Sequence, residues 1–536
     1  MAVRTYWYLF ASLTNVPYPD HWDMLDEIRR ARSGEFGWNY LWSPYWGHRP
    51  LWPRLLTLFA AAHLHFAMVP FAVISVAFQV AMVLTLVMVA SRLMPDHGRL
   101  FWLSVIVTAH LMLSSLQLEV FVKGVGVMYT AGYTAVMMGI VVLAGGVGGR
   151  LRVETRALIA AGLGIISVGS IAIGLFGWPV FVLEAWLAGA GRKLLAFLTA
   201  GGLLIAAFYS IGWQRGPGMG MGLAGIIRHP LGAAGTAAFV LGGPIGLYAP
   251  WAAVCVGAAG LLAAGSIAVH MIRKRAAEPA ELAFMMVLVF LLGSDAGLVA
   301  GRLGPEVLSG GTGQPVSRYM GPVFTFWAVL FALALSSRRA GRTARLRLAA
   351  VSLVVFILTF GMWNLEWRMS RAWAAVSESY DAMGSGFLMG VSDQEFMSQI
   401  ITIEPYRNRM IAYMRAQHLS VFAEPRASWL DQNVRTIALP ARRISCRAAI
   451  SRVPLGGDPP AYRVTGTLML DGYSSSRPID LLFTDDKGIV KGLARTLPAG
   501  SKGATAVEIL GYTRSAASGN ARLFALPGGR LCGCRL

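Results

Sequence analysis

Seven stretches of this 536-residue chain contain no Asp, Glu, Lys or Arg: residues 57–91, 124–149, 157–183, 194–214, 229–272, 319–337 and 348–365. A helix needs about 20 consecutive apolar residues to cross the hydrocarbon layer of a bilayer, so each stretch reads as a span and the longest holds two. Residues 100–118 and 282–301 add two more, the second interrupted by Asp295. The pattern predicts a polytopic α-helical membrane protein of about eleven spans. A charged fraction of 14% against 55% hydrophobic residues excludes an ordinary soluble chain, because such chains carry roughly a quarter charged residues. The net charge of +20 would point to nucleic acid in a soluble protein. Here the basic residues cluster beside apolar runs (Arg150, Arg152 and Arg156; Arg273, Lys274 and Arg275; Arg338, Arg339, Arg342, Arg345 and Arg347), as in cytoplasmic loops, and a nucleic-acid partner is set aside.

If residues 92–99, 150–156 and 338–347 are cytoplasmic, then the loop 18–56, the turn at 117–123 and everything after about 366 lie on the other side. Residues 6–16 rise only about 17 Å as a helix, short of the roughly 30 Å required, and no small-residue cleavage site marks a signal peptide. We read residues 1–366 as the multispan domain, 367–435 as a helical connecting segment and 436–536 as a small soluble, β-rich domain. From residue 367 onward there are 21 Lys and Arg against 13 Asp and Glu, a surplus of +8 that suits contact with anionic headgroups. Residues 405–417 read as a helix with Pro in its first turn. Short alternating segments at 462–470, 479–483, 489–494, 507–512 and 521–526, with the turn Asp486-Lys487-Gly488 between two of them, predict a β-sandwich. Cys446 opens this region and Cys532 or Cys534 closes it, which predicts a disulfide between first and last strand in an oxidising compartment. The alternative is a set of free thiols.

Residues 17–54 mix carboxylates, two His, Arg and many aromatics. A helix beginning near Asp20 places Asp23 and Glu27 on one face, with Asp20 one turn earlier. Such carboxylates can act as a general base or bind a cation, and equally can simply favour a helix N-terminus. Trp38, Trp42, Tyr45, Trp46 and Trp52 can stack on sugar rings or form an interfacial aromatic belt. The four cysteines offer no CxxC or Cys/His zinc spacing, and GxxxxGK[ST], GxSxG and HExxH motifs are missing.

Asp20-His21-Trp22-Asp23, followed by the run from Gly47-His48-Arg49-Pro50 to Pro53-Arg54-Leu55-Leu56, resembles bacterial integral membrane proteins related to the GT-C glycosyltransferases. Those proteins show an aromatic-Asp-x-Trp patch and then an Asn-Glu-His-Arg-x-x-x-Pro-Arg-Leu run; this chain has Trp46-Gly47 where the run has Asn-Glu. Gln117-Leu118-Glu119, Gly177-Trp178-Pro179 and Ser317-Arg318-Tyr319, the last following Arg302, extend the likeness across residues 1–340, and a weaker one reaches 393–422. The resemblance implies an inverting transferase of the bacterial cytoplasmic membrane. Its donor would be a polyprenyl-phosphate sugar and its acceptor an extracytoplasmic carbohydrate or glycolipid, with membrane lipid around it. Asp20 is then the first candidate base and Asp23 the second. His48, Arg49, Glu119, Arg302, Arg318 and Tyr319 are candidates for the substrate and its phosphate, since a departing lipid phosphate needs a cation and Arg forks onto phosphate oxygens. The residues make no cofactor certain, and the carboxylate pair admits a divalent cation, Mg or Mn. Transport of a lipid-linked or charged solute, and a non-catalytic relative of the enzymes, are the competing readings.

Overall fold

The structure, a computed structural model, describes residues 2–11, 13–145, 151–213, 222–246, 248–274, 278–302, 317–337, 342–440, 445–456, 460–471, 478–497, 506–514 and 522–536. Two compact units interleave along the chain: residues 1–6, 36–55 and 71–370 form a helical unit, and residues 7–35, 56–70 and 371–536 form the second. The loop 18–56 is therefore divided between the two units rather than belonging to one.

Among the described residues of the helical unit, seven helices are long and apolar enough to cross a membrane: Val69–Leu93, Arg99–Val122, Gly126–Leu143, Arg192–Ser210, Pro250–Arg273, Pro279–Gly301 and Arg342–Gly361. Three shorter apolar helices, Ala172–Leu187, Pro230–Leu241 and Met320–Ser336, accompany them. Seven full-length candidates stand against the eleven or so anticipated, because apolar runs such as 229–272 are broken: Pro230–Leu241 stops at Gly242 before the chain resumes at Pro250. The N-terminal helix Ala2–Ala11 has ten residues and rises about 15 Å, too short to cross alone. Gly126–Leu143 is almost wholly buried and packs on Val153–Val168. Small residues set the approach of the helices: a Cβ at Gly257 would sit 1.7 Å from the Ala238 carbonyl oxygen, and one at Gly242 would sit 2.0 Å from that of Ala253. Helices pair this closely only where the interface is built from Gly and Ala.

In the second unit the Glu404–Ala416 helix carries Pro405 in its first turn, as the sequence predicts. The C-terminal strands are β1 (Ser445–Gly456), β2 (Ala461–Asp471), β3 (Asp480–Thr484), β4 (Val490–Thr496), β5 (Ala506–Thr513), β6 (Arg522–Ala525) and β7 (Cys532–Arg535). They close into a barrel in the order β1-β2-β5-β4-β3-β6-β7, which corrects the expected sandwich. The two architectures share the same alternating strands, and what separates them is one pairing: β7 lies parallel to β1, with Cys534 opposite Cys446. Closure leaves no free sheet edge. Val464, Leu468, Leu481, Phe483, Ile509 and Leu523 fill the interior. The Asp486-Lys487-Gly488 turn joins β3 to β4, with Gly488 at φ +79°.

The disulfide joins Cys446 to Cys534 across the closing strand pair, while Cys532 is buried in the same core outside that bridge. It spans 88 residues of sequence, so replacing Cys446 and Cys534 together by Ser should lower stability by about 2–5 kcal/mol, seen as a lower melting temperature of the full-length protein. A non-reducing peptide map should recover Cys446 linked to Cys534; recovery of Cys532 in the bridge would contradict this closure.

Candidate functional site

The carboxylate-rich segment folds as the helix Pro19–Arg32 of the second unit. Proline suits its first turn, having no N–H to leave unbonded. Tyr18 sits at the N-cap, and its N–H donates to Nδ1 of the buried His21 at 3.2 Å. One face of the helix, His21, Trp22, Leu25 and Ile28, is buried. Trp22 is fixed at both ends, its Nε1 donating to the Pro17 carbonyl (3.2 Å) and its own carbonyl accepting from Tyr406 Oη (2.8 Å). Asp20 is half-buried and Asp23 exposed, whereas Glu27, one turn on, is buried. Asp26 binds Arg29 (2.9 Å) and Arg30 (2.8 Å). Partial burial raises its carboxyl, but the hydrogen bonds from the two guanidiniums outweigh that and hold it below the usual range.

Residues 36–55 belong to the helical unit. Tyr45 and His48 exchange backbone hydrogen bonds (2.7 and 2.9 Å) around Trp46 and Gly47, both at positive φ (49° and 83°). The two residues that stand in place of Asn-Glu are thus the centre of a tight turn in which glycine is favoured. His48 Nδ1 accepts from the Ala172 N–H at 3.3 Å. Arg49, a candidate phosphate partner, is 2% exposed and donates to three backbone carbonyls, those of Tyr209 (2.9 Å), Trp42 and Ile211. Arg54 does the same for Tyr40, Leu41 and Ser43 at 2.7–3.0 Å. Both are clamps that hold the loop in shape. Trp178 is likewise a packing residue, lying against Gly164, Gly201 and Gly202.

Other residues singled out in the sequence come together within the helical unit. The Ser317–Tyr319 turn packs on Ser115–Gln117 and on the Leu118–Val122 helix. Glu119 pairs with Lys123 at 3.0 Å. Arg318 lies over the Tyr319 ring (5.5 Å), within electrostatic reach of Glu119 and Tyr129. Its Nε is buried and has no hydrogen-bond partner among the described residues. Gln117 anchors the turn, its Nε2 donating to the Met112 carbonyl (2.9 Å) at the end of the Arg99–Met112 helix. Arg302 ends the Pro279–Arg302 helix, and its side chain lies outside the described residues. Among the described residues no three His, Cys, Asp or Glu side chains converge to hold a metal ion.

The sequence reading did not single out a polar network inside the second unit. Asp381 accepts from Arg426 Nη2 (2.6 Å) and Thr14 Oγ1 (3.1 Å) and pairs with Arg495. Arg426 also binds Glu424 (2.6 Å), which accepts from Asn15 Nδ2 (2.9 Å), and Arg495 binds Asp480 (2.7 Å). Thr14 and Asp381 lie 367 residues apart and Asn15 and Glu424 409, and no local motif announces either pair. No protein-family model, curated protein or solved structure matches this chain.

Burial pushes the Glu378 carboxyl, beside this network, from its ordinary 4.5 up to about 7, with Arg495 pulling the other way. A carboxyl raised by folding supports the fold fully below its unfolded value and loses that support as pH rises through its folded value. Relative to Glu378→Gln, the wild type should therefore lose stability between about pH 4.5 and about pH 7, by roughly 1–2 kcal/mol after solvent screening. Paired thermal melts across that range test it, and a pH-independent difference between the two proteins would contradict it.

Proposed function

We propose that the chain is a multi-pass membrane glycosyltransferase that moves a sugar from a polyprenyl-phosphate donor to an extracytoplasmic carbohydrate or glycolipid, with inversion at the anomeric carbon. The observation that carries this reading is the Glu119, Lys123, Arg318 and Tyr319 cluster, in which the Arg318 Nε is buried and has no hydrogen-bond partner among the described residues. A cation with a donor to spare is what a departing lipid phosphate requires. Arg49 is a weaker candidate for that role, since three carbonyls already occupy it.

In the reaction a carboxylate accepts the proton of the acceptor hydroxyl as its oxygen attacks the anomeric carbon. The bond to the phosphate oxygen breaks, and its electron pair leaves with the lipid phosphate. Asp20 and Asp23 remain the first candidate bases, both on solvent-reaching positions of a helix whose opposite face is locked by Trp22 and His21. Glu119 is the third, sharing a unit with Arg318. The mechanism takes no step through a metal. The bacterial inner membrane as location, the extracytoplasmic side for residues after about 366, and a span count above seven belong to the same proposal; a disulfide in the barrel supports the oxidising side. Transport of a charged solute is the second reading, favoured by Glu184, whose two carboxylate oxygens are buried in the Gly177–Leu187 helix without a hydrogen-bond partner among the described residues.

Transfer of radiolabelled sugar from a panel of polyprenyl-phosphate sugars to membrane extract should be measured for wild type, Asp20→Asn, Asp23→Asn and Glu119→Gln at matched expression. A drop of about 10²- to 10⁴-fold in one variant identifies the base. Undiminished transfer in all three would remove the carboxylate mechanism, and no transfer by wild type from any donor would remove the transferase reading in favour of transport.

A further inference from the structure

Between Glu281 and Arg302 the Pro279–Arg302 helix contains one ionisable side chain, Asp295. It is 7% exposed, and its Oδ1 is buried with no hydrogen-bond partner among the described residues. The side chain lines a cavity of about 20 Å³ together with Ser294, Tyr133, Tyr319, Val240 and Leu241. That volume holds one water molecule or one small ion. Val240 and Leu241 are the last residues of Pro230–Leu241, which the chain breaks at Gly242; the Leu241 carbonyl there accepts from Trp327 Nε1 at 2.9 Å, and this end of the helix is the negative pole of its dipole. The cavity wall thus includes a carboxylate, a serine and two tyrosines, residues that carry oxygen atoms, beside the C-terminal end of a helix. No Lys, Arg or His lines it among the described residues. The titratable groups that face Asp295 are Tyr133, on Gly126–Leu143, and Tyr319; Arg318, beside Tyr319, is engaged with that ring and within reach of Tyr129 and Glu119.

An ionised carboxylate buried among apolar helices, with one oxygen lacking a partner among the described residues, is strongly disfavoured, and it is relieved by a proton or by a bound cation. We propose that the Asp295 cavity is a site for one exchangeable monovalent cation, a proton or a sodium ion. This site uses none of the carboxylates of the glycosyl-transfer reading, and shares Tyr319 with its arginine cluster.

Dicyclohexylcarbodiimide tests it directly on the full-length protein in detergent, because the reagent adds to protonated carboxyls in apolar surroundings and leaves a stable acylurea. Peptide mass spectrometry should find the adduct on Asp295 in wild type and lose it in Asp295→Asn. For a proton site, the labelling rate falls about tenfold per pH unit above its midpoint and is equal in NaCl and KCl. For a sodium site, NaCl slows labelling at fixed pH and KCl does not, and NaCl raises the melting temperature of wild type but not of Asp295→Asn. Wild-type protein that stays unlabelled at Asp295 from about pH 5 to about pH 9, or that labels at one rate whatever the pH and salt, would overturn the proposal.

Discussion

Backbone carbonyls that leave a helix in apolar surroundings must find a donor, and this requirement governs where the polar side chains of the helical unit go. Regular helix satisfies most of the chain by itself. Where it stops, a long polar side chain supplies the bond: Arg49 at the Trp42, Tyr209 and Ile211 carbonyls, Arg54 at residues 40, 41 and 43, Gln79 and Gln117 at Met112. The same rule operates in the second unit, where Arg415 and Arg514 bond the carbonyls of Phe387, Leu388 and Met389 that end the Trp363–Met389 helix. An arginine in this chain is therefore first a candidate for a structural clamp. Arg318 shares a buried Nε without a hydrogen-bond partner among the described residues with Arg156, Arg347, Arg407 and Arg452, and the groups around it are side chains, Tyr319, Tyr129 and Glu119.

Asp381 has the corresponding role in the second unit. It collects Thr14 from the N-terminal segment, Arg426 from the 425–428 turn and Arg495 from β4, so one carboxylate ties three distant pieces of sequence to the Trp363–Met389 helix. Arg463 repeats the device a few turns on, binding Asp393 (3.1 Å) and Glu395 (2.7 Å), with Tyr512 also donating to Asp393. Removing one partner from such a buried set leaves an uncompensated charge, which is why these groups stabilise the unit only as a set. The candidate bases Asp20 and Asp23 belong to this unit and inherit its rigidity through Trp22, whose ring meets Phe387 edge-on at 6.0 Å.

The periodic parts of the fold were legible in the sequence. Uncharged runs mark the helices, alternation marks β2 to β6 to within a residue or two, and Asp486-Lys487-Gly488 marks its turn. Less was legible where the decisive contact is non-local. The strand pair that turns a sandwich into a barrel joins residues 446–447 to 534–535, and nothing in either strand specifies a parallel partner. The division of residues 18–56 between two units follows from Thr14, Tyr18 and Trp22 finding partners after residue 370, which hydropathy cannot register. At the candidate site, sequence reasoning could name His48, Arg49, Glu119, Arg318 and Tyr319 but could not sort clamp from binder. That distinction depends on which donors the fold leaves unpaired.

Polyprenyl phosphate binding to the full-length protein in detergent, measured beside thermal unfolding for Arg318→Gln and Arg49→Gln, separates these roles most directly. Arg318→Gln should unfold close to the wild-type temperature and bind the lipid phosphate at least about tenfold more weakly, the loss expected of one charge-assisted contact. Arg49→Gln should unfold several degrees lower, as a protein that has lost three buried carbonyl bonds. Wild-type lipid-phosphate affinity in Arg318→Gln, or an Arg49→Gln protein of unchanged stability, would contradict the division between the arginine that holds the loop and the arginine that awaits a phosphate.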